Sequence, residues 1–494
     1  MEVNNFTLQS RLILRVSIFC FLCTSTFVSE AQVAKRISSI LKTLNVQGAT
    51  VIVTNEKEVL FQQYYGYRDR YLSKSVNKNT LFPIGSCSKA FTAALTGIHK
   101  VDLDKPISSY SKDFKLIDEH ITNQVSLRDF LSHRTGLPSH DLSFYLFHEK
   151  ESDKLLEKLA NLPFSSALRE KYQYNNYGYL LAADLVEEIT NDSWNNLIET
   201  KLLHPLKMKL TLTNLPEKAM NLSHGFSIVN DESKFMPYYK LEGMQAAGSI
   251  VSNGLDMAKW IRCWINFGKF DNKQIIPVSY VQEAISSQMI MRPELPDNEF
   301  PNLFFKNYGF AWMLSSYKGL YRVEHGGNIN GFSANMCFFP TEQLGIIVLT
   351  NQNNSSAPYI IRNTLVDHFL SLPKDDWLTD YLNRKSLNNS DETSNSTELT
   401  PLKKSSLSGD FNHPGYGTIH ISNVDGFTYA TAGLFSFGVF QKNKNSYVLK
   451  AQPNQAIDAD TLPDINFDVN DDGTVIAVEL ESRVPPLLFN LVKD

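Results

Sequence analysis

The sequence reads FPIGSCSKAFTAAL from Phe82 to Leu95, and this stretch places a serine and a lysine three residues apart where an apolar helical pattern begins. On a helix, residues three apart share a face, so the Ser86 hydroxyl and the Lys89 amine can meet. A serine needs a base to become a nucleophile, and a lysine can serve only if its surroundings lower its pKa. Serine is also a common helix N-cap, so the pair alone is either catalytic or an ordinary helix start.

Two later stretches carry further polar candidates. Tyr174 and Asn176 are separated by one residue in YQYNNYGYLLAADLVEEIT, in a loop that enters a predicted helix. The alternative is that Tyr174 is an aromatic side chain that only packs in the core. His325 and Gly327 lie at a predicted strand end in YRVEHGGNINGF, where glycines let a substrate backbone approach closely. The alternative there is a hairpin turn with an exposed histidine.

In this order, the three stretches resemble the S-x-x-K, Y-x-N and H-x-G (or K-T-G) boxes of the serine β-lactamase and penicillin-binding protein superfamily. The tyrosine in the second box is similar to the branch of class C β-lactamases, D-alanyl-D-alanine carboxypeptidases and esterases. The resemblance covers roughly Ile37 to Leu370. Four more stretches support it: FLSHRTGLP (130–138), LLHPLKM (202–208), AAGSIVSNGLDMAKW (246–260) and GIIVLTN (345–351).

The resemblance implies a role for each residue of the three boxes. Ser86 would attack a carbonyl and form an acyl-enzyme, with Lys89 taking part in proton transfer. Tyr174, if its phenol lay near two cations, would act as the base and later activate the deacylating water. Asn176 would hydrogen-bond the substrate amide, and His325 would orient a substrate carboxylate or assist the tyrosine.

The resemblance also implies an oxyanion hole and a substrate range. The backbone N–H groups of Ser86 and Asn328 would bind the oxyanion, beside Gly327 of the third box. Many relatives carry lysine where this chain has His325, and a neutral imidazole anchors a carboxylate less well than an ammonium does. Ester and D-amino peptide hydrolysis is therefore at least as expected as β-lactam hydrolysis.

The expected fold class is α/β. Strand-like runs at both ends of the catalytic region, with helical segments between them, fit a β-lactamase/transpeptidase-like fold, an antiparallel sheet flanked by helices with an inserted helical region. A small C-terminal all-β domain should follow, because the last segments alternate with period two around turn residues. The predicted boundaries are 1–31 for a signal peptide, 32–384 for the catalytic domain, 385–404 for a linker and 405–494 for the β domain.

The N-terminus predicts secretion. Arg11 and Arg15 border an apolar run, and the small residues Ser29 and Ala31 suit cleavage before Gln32. A signal anchor is the alternative, but Arg15 interrupts the run. We therefore expect a secreted, extracellular protein without a membrane partner after cleavage. Six N-x-Ser/Thr triplets predict N-glycosylation at Asn191, Asn221, Asn353, Asn354, Asn388 and Asn395.

Composition excludes several other classes of protein. The net charge is only −5 and no long basic run occurs, so nucleic acid is not an expected partner.

Cys87, Cys263 and Cys337 remain after signal removal without metal-ligand spacing, so neither a disulfide scaffold nor a metal site is expected, and a Cys263–Cys337 bridge stays open. The segment from Asp468 to Glu479 matches a calcium-loop pattern, but its flanks alternate as strands, which favours a hairpin.

Two functions follow from these observations. The first is a secreted serine hydrolase that works without a cofactor on a small-molecule or peptide substrate with an ester or amide bond. The second is an extracellular-matrix protein, for example a shell-matrix-like one, that reuses the fold with little or no catalysis. The complete set of box residues favours the enzyme.

Overall fold

The computed structural model of the protein describes residues 30–492, apart from 216–218, 230, 293–294, 297–300, 393–398, 403–406, 444–445, 452–461, 472–473 and 482–485. The helices are α1 (30–43), α2 (Lys89–Ile98), α3 (Glu119–Thr122), α4 (Leu127–Leu131), α5 (Leu142–Tyr145), α6 (Ser152–Leu159), α7 (Tyr177–Thr190), α8 (Trp194–Ile198), α9 (Gln245–Gly248), α10 (Gly254–Ile265), α11 (Val278–Ala284), α12 (Ala357–Phe369) and α13 (Trp377–Glu392).

The strands fall into a catalytic part and a C-terminal part. The catalytic part contains β1 (Gly48–Thr54), β2 (Val59–Asp69), β3 (Lys74–Ser75), β4 (Phe82–Pro83), β5 (Gly225–Val229), β6 (Glu232–Met236), β7 (Val251–Ser252), β8 (Lys269–Phe270), β9 (Lys273–Gln274), β10 (Met289–Ile290), β11 (Lys306–Tyr308), β12 (Met313–Tyr317), β13 (Leu320–Ile329), β14 (Phe332–Phe339) and β15 (Leu344–Thr350). The C-terminal part contains β16 (Thr400–Pro401), β17 (Gly409–His413), β18 (Gly417–Val424), β19 (Phe427–Ala432), β20 (Phe435–Gln441), β21 (Tyr447–Ala451), β22 (Asp464–Val469), β23 (Val475–Glu481) and β24 (Leu487–Leu491).

The catalytic part is built on a nine-stranded antiparallel sheet in the order β10-β11-β12-β13-β14-β15-β1-β2-β3. The first strands of the chain therefore pair with strands from far along it, since β1 lies beside β15 with Val51 opposite Val348. The helices between Ser86 and Ile285 are inserted between these two groups of strands, as the sequence predicts.

Both faces of the central strands are buried, which explains their continuous apolar runs. Successive side chains of a strand point to opposite faces. In β15, Ile347 and Leu349 join the core that includes α2, α7 and α10, whereas Ile346 and Val348 join a second core beneath α1 and α12. The sheet is thus held between two helical layers.

The C-terminal part is an eight-stranded antiparallel barrel. Consecutive strands from β17 to β24 pair with one another, and β24 returns to pair with β17. Its interior is filled by side chains such as Phe411, Ile419, Phe437 and Val478, all buried. The segment that matches the calcium-loop pattern lies in a β-hairpin, because β22 and β23 pair antiparallel from Asp464–Glu481 to Val469–Val475.

The barrel packs against the segment that follows α4. The Tyr416 hydroxyl lies 2.7 Å from His140 Nδ1, and the Phe489 ring stacks on Phe147 with centroids 5.8 Å apart. Both contacts are buried. The barrel therefore supports a stretch of chain that also forms one wall of the site described below.

The segment that composition predicted as a linker, 385–404, is partly helical. Helix α13 runs through it to Glu392, because Trp377 anchors the helix start over Asp367 with an indole N–H bond of 2.8 Å. Of the predicted glycosylation sites, Asn388 lies in this helix and Asn395 lies outside the described residues. Most of the predicted signal peptide, 1–29, also lies outside them.

The three cysteines that follow residue 31 are buried free thiols, so no Cys263–Cys337 bridge is formed. Among the residues with described positions, none of the helices combines the length and apolar character needed to cross a membrane. The same residues contain no cluster of His, Cys, Asp and Glu that could hold a metal ion.

Candidate active site

The predicted nucleophile lies in a tight turn that leads directly into α2. Residues Gly85–Ser88 form a 3-10 turn, and Lys89 is the first residue of the helix. Gly85 has a φ of +51°, a left-handed conformation that favours glycine. Ser86 is partly exposed, Lys89 is completely buried, and Lys89 Nζ lies 3.0 Å from Ser86 Oγ. The turn thus presents the hydroxyl to solvent with the amine behind it.

Burial lowers the pKa of Lys89 to about 7, while the charges of Asp141 and Cys87 oppose the shift. The amine also donates to the Ala247 carbonyl oxygen over 2.8 Å. A neutral amine can make that donation and still direct its lone pair at the Ser86 hydroxyl. Near neutral pH, Lys89 is therefore poised to accept the serine proton.

Tyr174 shares the Ser86 hydroxyl. Its phenol hydrogen-bonds Ser86, and its ring centroid lies 5.0 Å from Lys89 Nζ. Burial raises the pKa of Tyr174 well above its usual value, and the hydrogen bond from Ser86 only partly opposes this. The predicted base role required two nearby cations, yet a pKa of about 7 leaves Lys89 only partly protonated at neutral pH, and burial keeps His325 uncharged. The surroundings thus keep Tyr174 a phenol, which can donate a proton.

An uncharged aromatic cage surrounds this tyrosine. The His133 ring packs 4.4 Å from the Tyr174 ring and also contacts Tyr179 and Tyr308. The Asn175 backbone N–H donates to His133 Nδ1 over 3.1 Å, which leaves the ring proton on Nε2. Burial lowers the pKa of His133 well below its usual value, so the ring is neutral. The cage fixes the tyrosine ring without placing a charge against it.

His325 lies within strand β13 and is 1% exposed, so neither a strand end nor an exposed hairpin position describes it. Its Nδ1 lies 2.6 Å from the Gly326 carbonyl oxygen and must donate, so Nε2 accepts from the Tyr308 hydroxyl at 3.0 Å. Burial lowers its pKa to about 3. A neutral imidazole with both nitrogens engaged has nothing to offer an anion, so this geometry does not support the predicted anchoring of a substrate carboxylate.

Strand β13 approaches the nucleophile turn so closely that only glycine fits. A Cβ at Gly327 would overlap the Ile84 carbonyl oxygen, and a Cβ at Gly85 would lie 2.9 Å from the Asn328 nitrogen. This contact brings the Asn328 backbone beside Ser86. The two predicted oxyanion donors, the N–H groups of Ser86 and Asn328, therefore belong to adjoining segments.

A cavity of about 320 Å³ opens in front of Ser86. Its walls are largely apolar and aromatic, and include Phe144, Tyr145, Tyr239 and Met244. Asn176, the predicted amide-binding residue, lines the same cavity. Cavities of this size and lining are typical of small-molecule or peptide side-chain sites.

Asp141 is a residue of the site that the sequence interpretation missed. It lines the cavity with Ser86 and accepts a hydrogen bond of 2.8 Å from Asn176 Nδ2. Burial raises its pKa to about 6, while Asn176 and Lys89 oppose the shift. Asp141 follows the quoted FLSHRTGLP stretch by three positions, but no spacing rule connects it to the Y-x-N box.

Two predicted glycosylation sites conflict with an open cavity. Asn353 and Asn354 line the cavity wall, so a glycan on either would obstruct its mouth. Asn221 is engaged as an acceptor for Arg68 Nη1 at 2.5 Å. Asn191 is exposed at the end of α7, where a glycan would meet no such obstacle.

Known proteins are similar to this chain over most of its length. Residues 33–370 match the family model described as Beta-lactamase. The chain is 26% identical over 440 residues to the unguisins hydrolase ungD of Aspergillus violaceofuscus, covering 80% of this chain and 77% of that protein. It is 23% identical over 358 residues to the N-acetylmuramyl-L-alanine amidase of Bacillus subtilis, covering 62% and 78% respectively.

A solved structure is similar over nearly the whole chain. The octameric penicillin-binding protein homologue from Pyrococcus abyssi has a TM-score of 0.61, with 18% identity, over 93% of this chain and 99% of that one. At this level of identity the likeness concerns the fold alone.

Proposed function

Because this chain belongs to the Beta-lactamase family, whose model matches residues 33–370, we propose that it hydrolyses an ester or amide through an acyl-enzyme on Ser86. The family match and the hydrolase relatives confirm the predicted fold class and the general class of enzyme, a hydrolase. The observation that carries the finer proposal is that Ser86 Oγ lies 3.0 Å from the buried Lys89 amine and also bonds the Tyr174 phenol.

In the acylation step, neutral Lys89 takes the proton of Ser86 as Oγ bonds to the substrate carbonyl carbon. The carbonyl oxygen becomes an oxyanion that the N–H groups of Ser86 and Asn328 stabilise. Donors of this kind contribute about 10²–10³ in rate. The base is Lys89 rather than Tyr174, because burial lowers the pKa of the amine and raises that of the phenol.

Collapse of the tetrahedral intermediate breaks the bond to the leaving group. Tyr174 gives its phenol proton to the departing oxygen or nitrogen and recovers a proton from the Lys89 ammonium, which returns to the neutral amine. In deacylation, water replaces the leaving group and the same transfers run in reverse, which frees the acid product and restores the Ser86 hydroxyl.

The test is covalent labelling of the purified protein with a fluorophosphonate probe. The wild type should be labelled and Ser86→Ala should not. Cys87→Ala is the matched control, because burial raises the pKa of this neighbouring thiol to about 12 and makes it a poor nucleophile. Labelling that survives Ser86→Ala contradicts the proposal, because it shows a different nucleophile. A wild type that neither labels nor hydrolyses esters, D-amino peptides or β-lactams also contradicts it and favours the matrix role.

We also propose that the protein is secreted and glycosylated at Asn191. This rests on the apolar N-terminal run and on the exposure of Asn191. After expression in a eukaryotic cell, glycosidase treatment should lower the mass of the wild type. In Asn191→Gln, the part of this mass shift that comes from the glycan on Asn191 should be missing. Recovery of unglycosylated protein only from the cytosol contradicts this proposal.

A further inference from the structure

Asp141 is the one charged side chain among the described residues that line the cavity in front of Ser86. Lys89 is completely buried behind the serine and does not line the cavity. The cavity therefore presents a carboxylate and no counter-charge to an incoming substrate.

Helix capping does not account for this carboxylate. Asp141 occupies the N-cap position of the four-residue helix α5, where aspartate usually bonds the free amides of the first turn. Here its side chain makes no cap hydrogen bond and turns instead to Asn176. Among the described residues it also forms no ion pair. Its position thus points to the site rather than to the local helix.

The bond between Asp141 and Asn176 leaves one side-chain acceptor unused on each residue, beside the second N–H of the Asn176 amide. An ionised carboxylate only accepts, so the Asn176 amide nitrogen must face Asp141 Oδ1. The side-chain oxygen Oδ1 of Asn176 and Oδ2 of Asp141 have no hydrogen bond within the described ranges. A group with several N–H donors and a positive charge, an ammonium, complements two such acceptors.

The surrounding rings favour the same chemistry. Phe144 and Tyr145 line the cavity next to Asp141, and Tyr239 lies with its centroid 4.8 Å from that of Tyr145. Aromatic faces attract cations and also pack against apolar substituents. An ammonium on Asp141 would in addition offset the carboxylate charge that raises the pKa of Lys89, which keeps the base neutral.

From this arrangement we infer that Asp141 and Asn176 form a subsite for a free primary ammonium in the acyl part of the substrate. The preferred substrate class is then the ester or amide of an amino acid with an unblocked amino group and an apolar side chain. This inference rests on the proposed acyl-enzyme function, because the acyl part is the portion that stays beside Ser86 after the leaving group departs.

The kinetic test compares two esters that differ only in the amino group. One is phenylalanine methyl ester, used as each enantiomer, and the other is methyl 3-phenylpropanoate. In the wild type, kcat/KM should favour the amino ester, and in Asp141→Asn that ratio should fall about tenfold to a hundredfold. The greater intrinsic reactivity of the amino ester cancels, since the same two substrates are compared in both enzymes. An unchanged ratio overturns the inference.

A binding test gives an answer even if the variant does not fold or the enzyme is inert toward esters. Calorimetric titration of the wild type should show 2-phenylethylamine binding at least about tenfold more tightly than the neutral 2-phenylethanol. Equal affinities overturn the amine subsite. Fluorophosphonate labelling decides the acyl-enzyme separately, so labelled protein without amine preference refutes only this inference.

Discussion

At the scale of single residues, the protonation of Lys89 should control the rate. Burial lowers its pKa to about 7, and only the neutral amine can take the Ser86 proton. With a neutral ester, we expect kcat/KM to rise with pH to a plateau, with its midpoint near pH 7. The charge of Asp141 raises the pKa of the amine, so Asp141→Asn should move this acid limb to lower pH. Stopped assays from pH 5 to 9 measure the acid limb of the wild type and that of the variant.

An acid limb that stays in place in Asp141→Asn would mean that the carboxylate and the amine do not interact. Lys89→Arg provides a second measurement, because a guanidinium stays protonated at these pH values. That variant should lose about a hundredfold or more in kcat and show no acid limb near neutrality.

Gly327 provides a second prediction at this scale. Gly327→Ala places a methyl group against the Ile84 carbonyl oxygen, which forces the nucleophile turn and strand β13 apart. We expect at least a tenfold fall in kcat, since both proposed oxyanion donors, the N–H groups of Ser86 and Asn328, lie beside this contact. Gly409→Ala in the barrel is the control, because its new Cβ would meet only side-chain carbons at 3.2 Å. Equal loss in the two variants would attribute the effect to stability alone.

Sequence periodicity could predict some residues of the site but not others. Ser86 and Lys89 are linked by helical spacing, so their contact follows from local geometry. Asp141 and Asn176 are 35 positions apart and meet only through the packing of α5 against α7. The role of Tyr174 stays a prediction that sequence spacing alone cannot decide, since the pKa of a buried group depends on a three-dimensional cage.

At the scale of elements, the hairpin of β19 and β20 should influence substrate binding. Phe435 at its tip stacks on Tyr145 and Tyr239, with centroids 6.1 and 6.5 Å away, and these two rings line the cavity. Phe435→Ala should loosen this wall and raise KM for esters with an aromatic acyl group several-fold, with a smaller change in kcat. Leu434→Ala, at a neighbouring position with 73% exposure, is the control.

Steady-state kinetics on phenylalanine methyl ester and on methyl acetate measure this effect. The small acetyl group makes few contacts with the aromatic wall, so its KM should change little in Phe435→Ala. A uniform rise in KM for both esters would show that the hairpin affects the nucleophile rather than the wall.

Element boundaries were predictable where one physical rule dominates. The residues of β1 and β15 are buried throughout because both sheet faces are covered, and the turn at Asn55 to Lys57 separates β1 from β2. The helix in 385–392 was missed because its composition is polar, while its start is held by the distant Asp367. Strand β13 extends past His325 to Ile329 since pairing with β14 outweighs the turn preference of its glycines.

At the scale of the whole molecule, the barrel and the catalytic part share a buried histidine. His140 Nε2 donates to the Pro163 carbonyl oxygen at 2.8 Å, and Nδ1 accepts from Tyr416 of the barrel at 2.7 Å. Burial lowers the pKa of His140 to about 4. The interface is thus built for the neutral ring, and period-two strand patterns alone could not predict how the barrel docks.

The burial of His140 should make the free energy of unfolding depend on pH, and the variant His140→Gln measures this contribution. Between the unfolded pKa of about 6.5 and the folded value of about 4, His140 binds a proton only in the unfolded state, so stability falls as pH falls. The stability advantage of the wild type over His140→Gln should therefore shrink by about 1.4 kcal/mol per pH unit across that window. Urea unfolding at pH 7, 6 and 5 measures it, with the exposed His120→Gln as control. A pH-independent difference for His140→Gln would mean that the interface accommodates the charged ring.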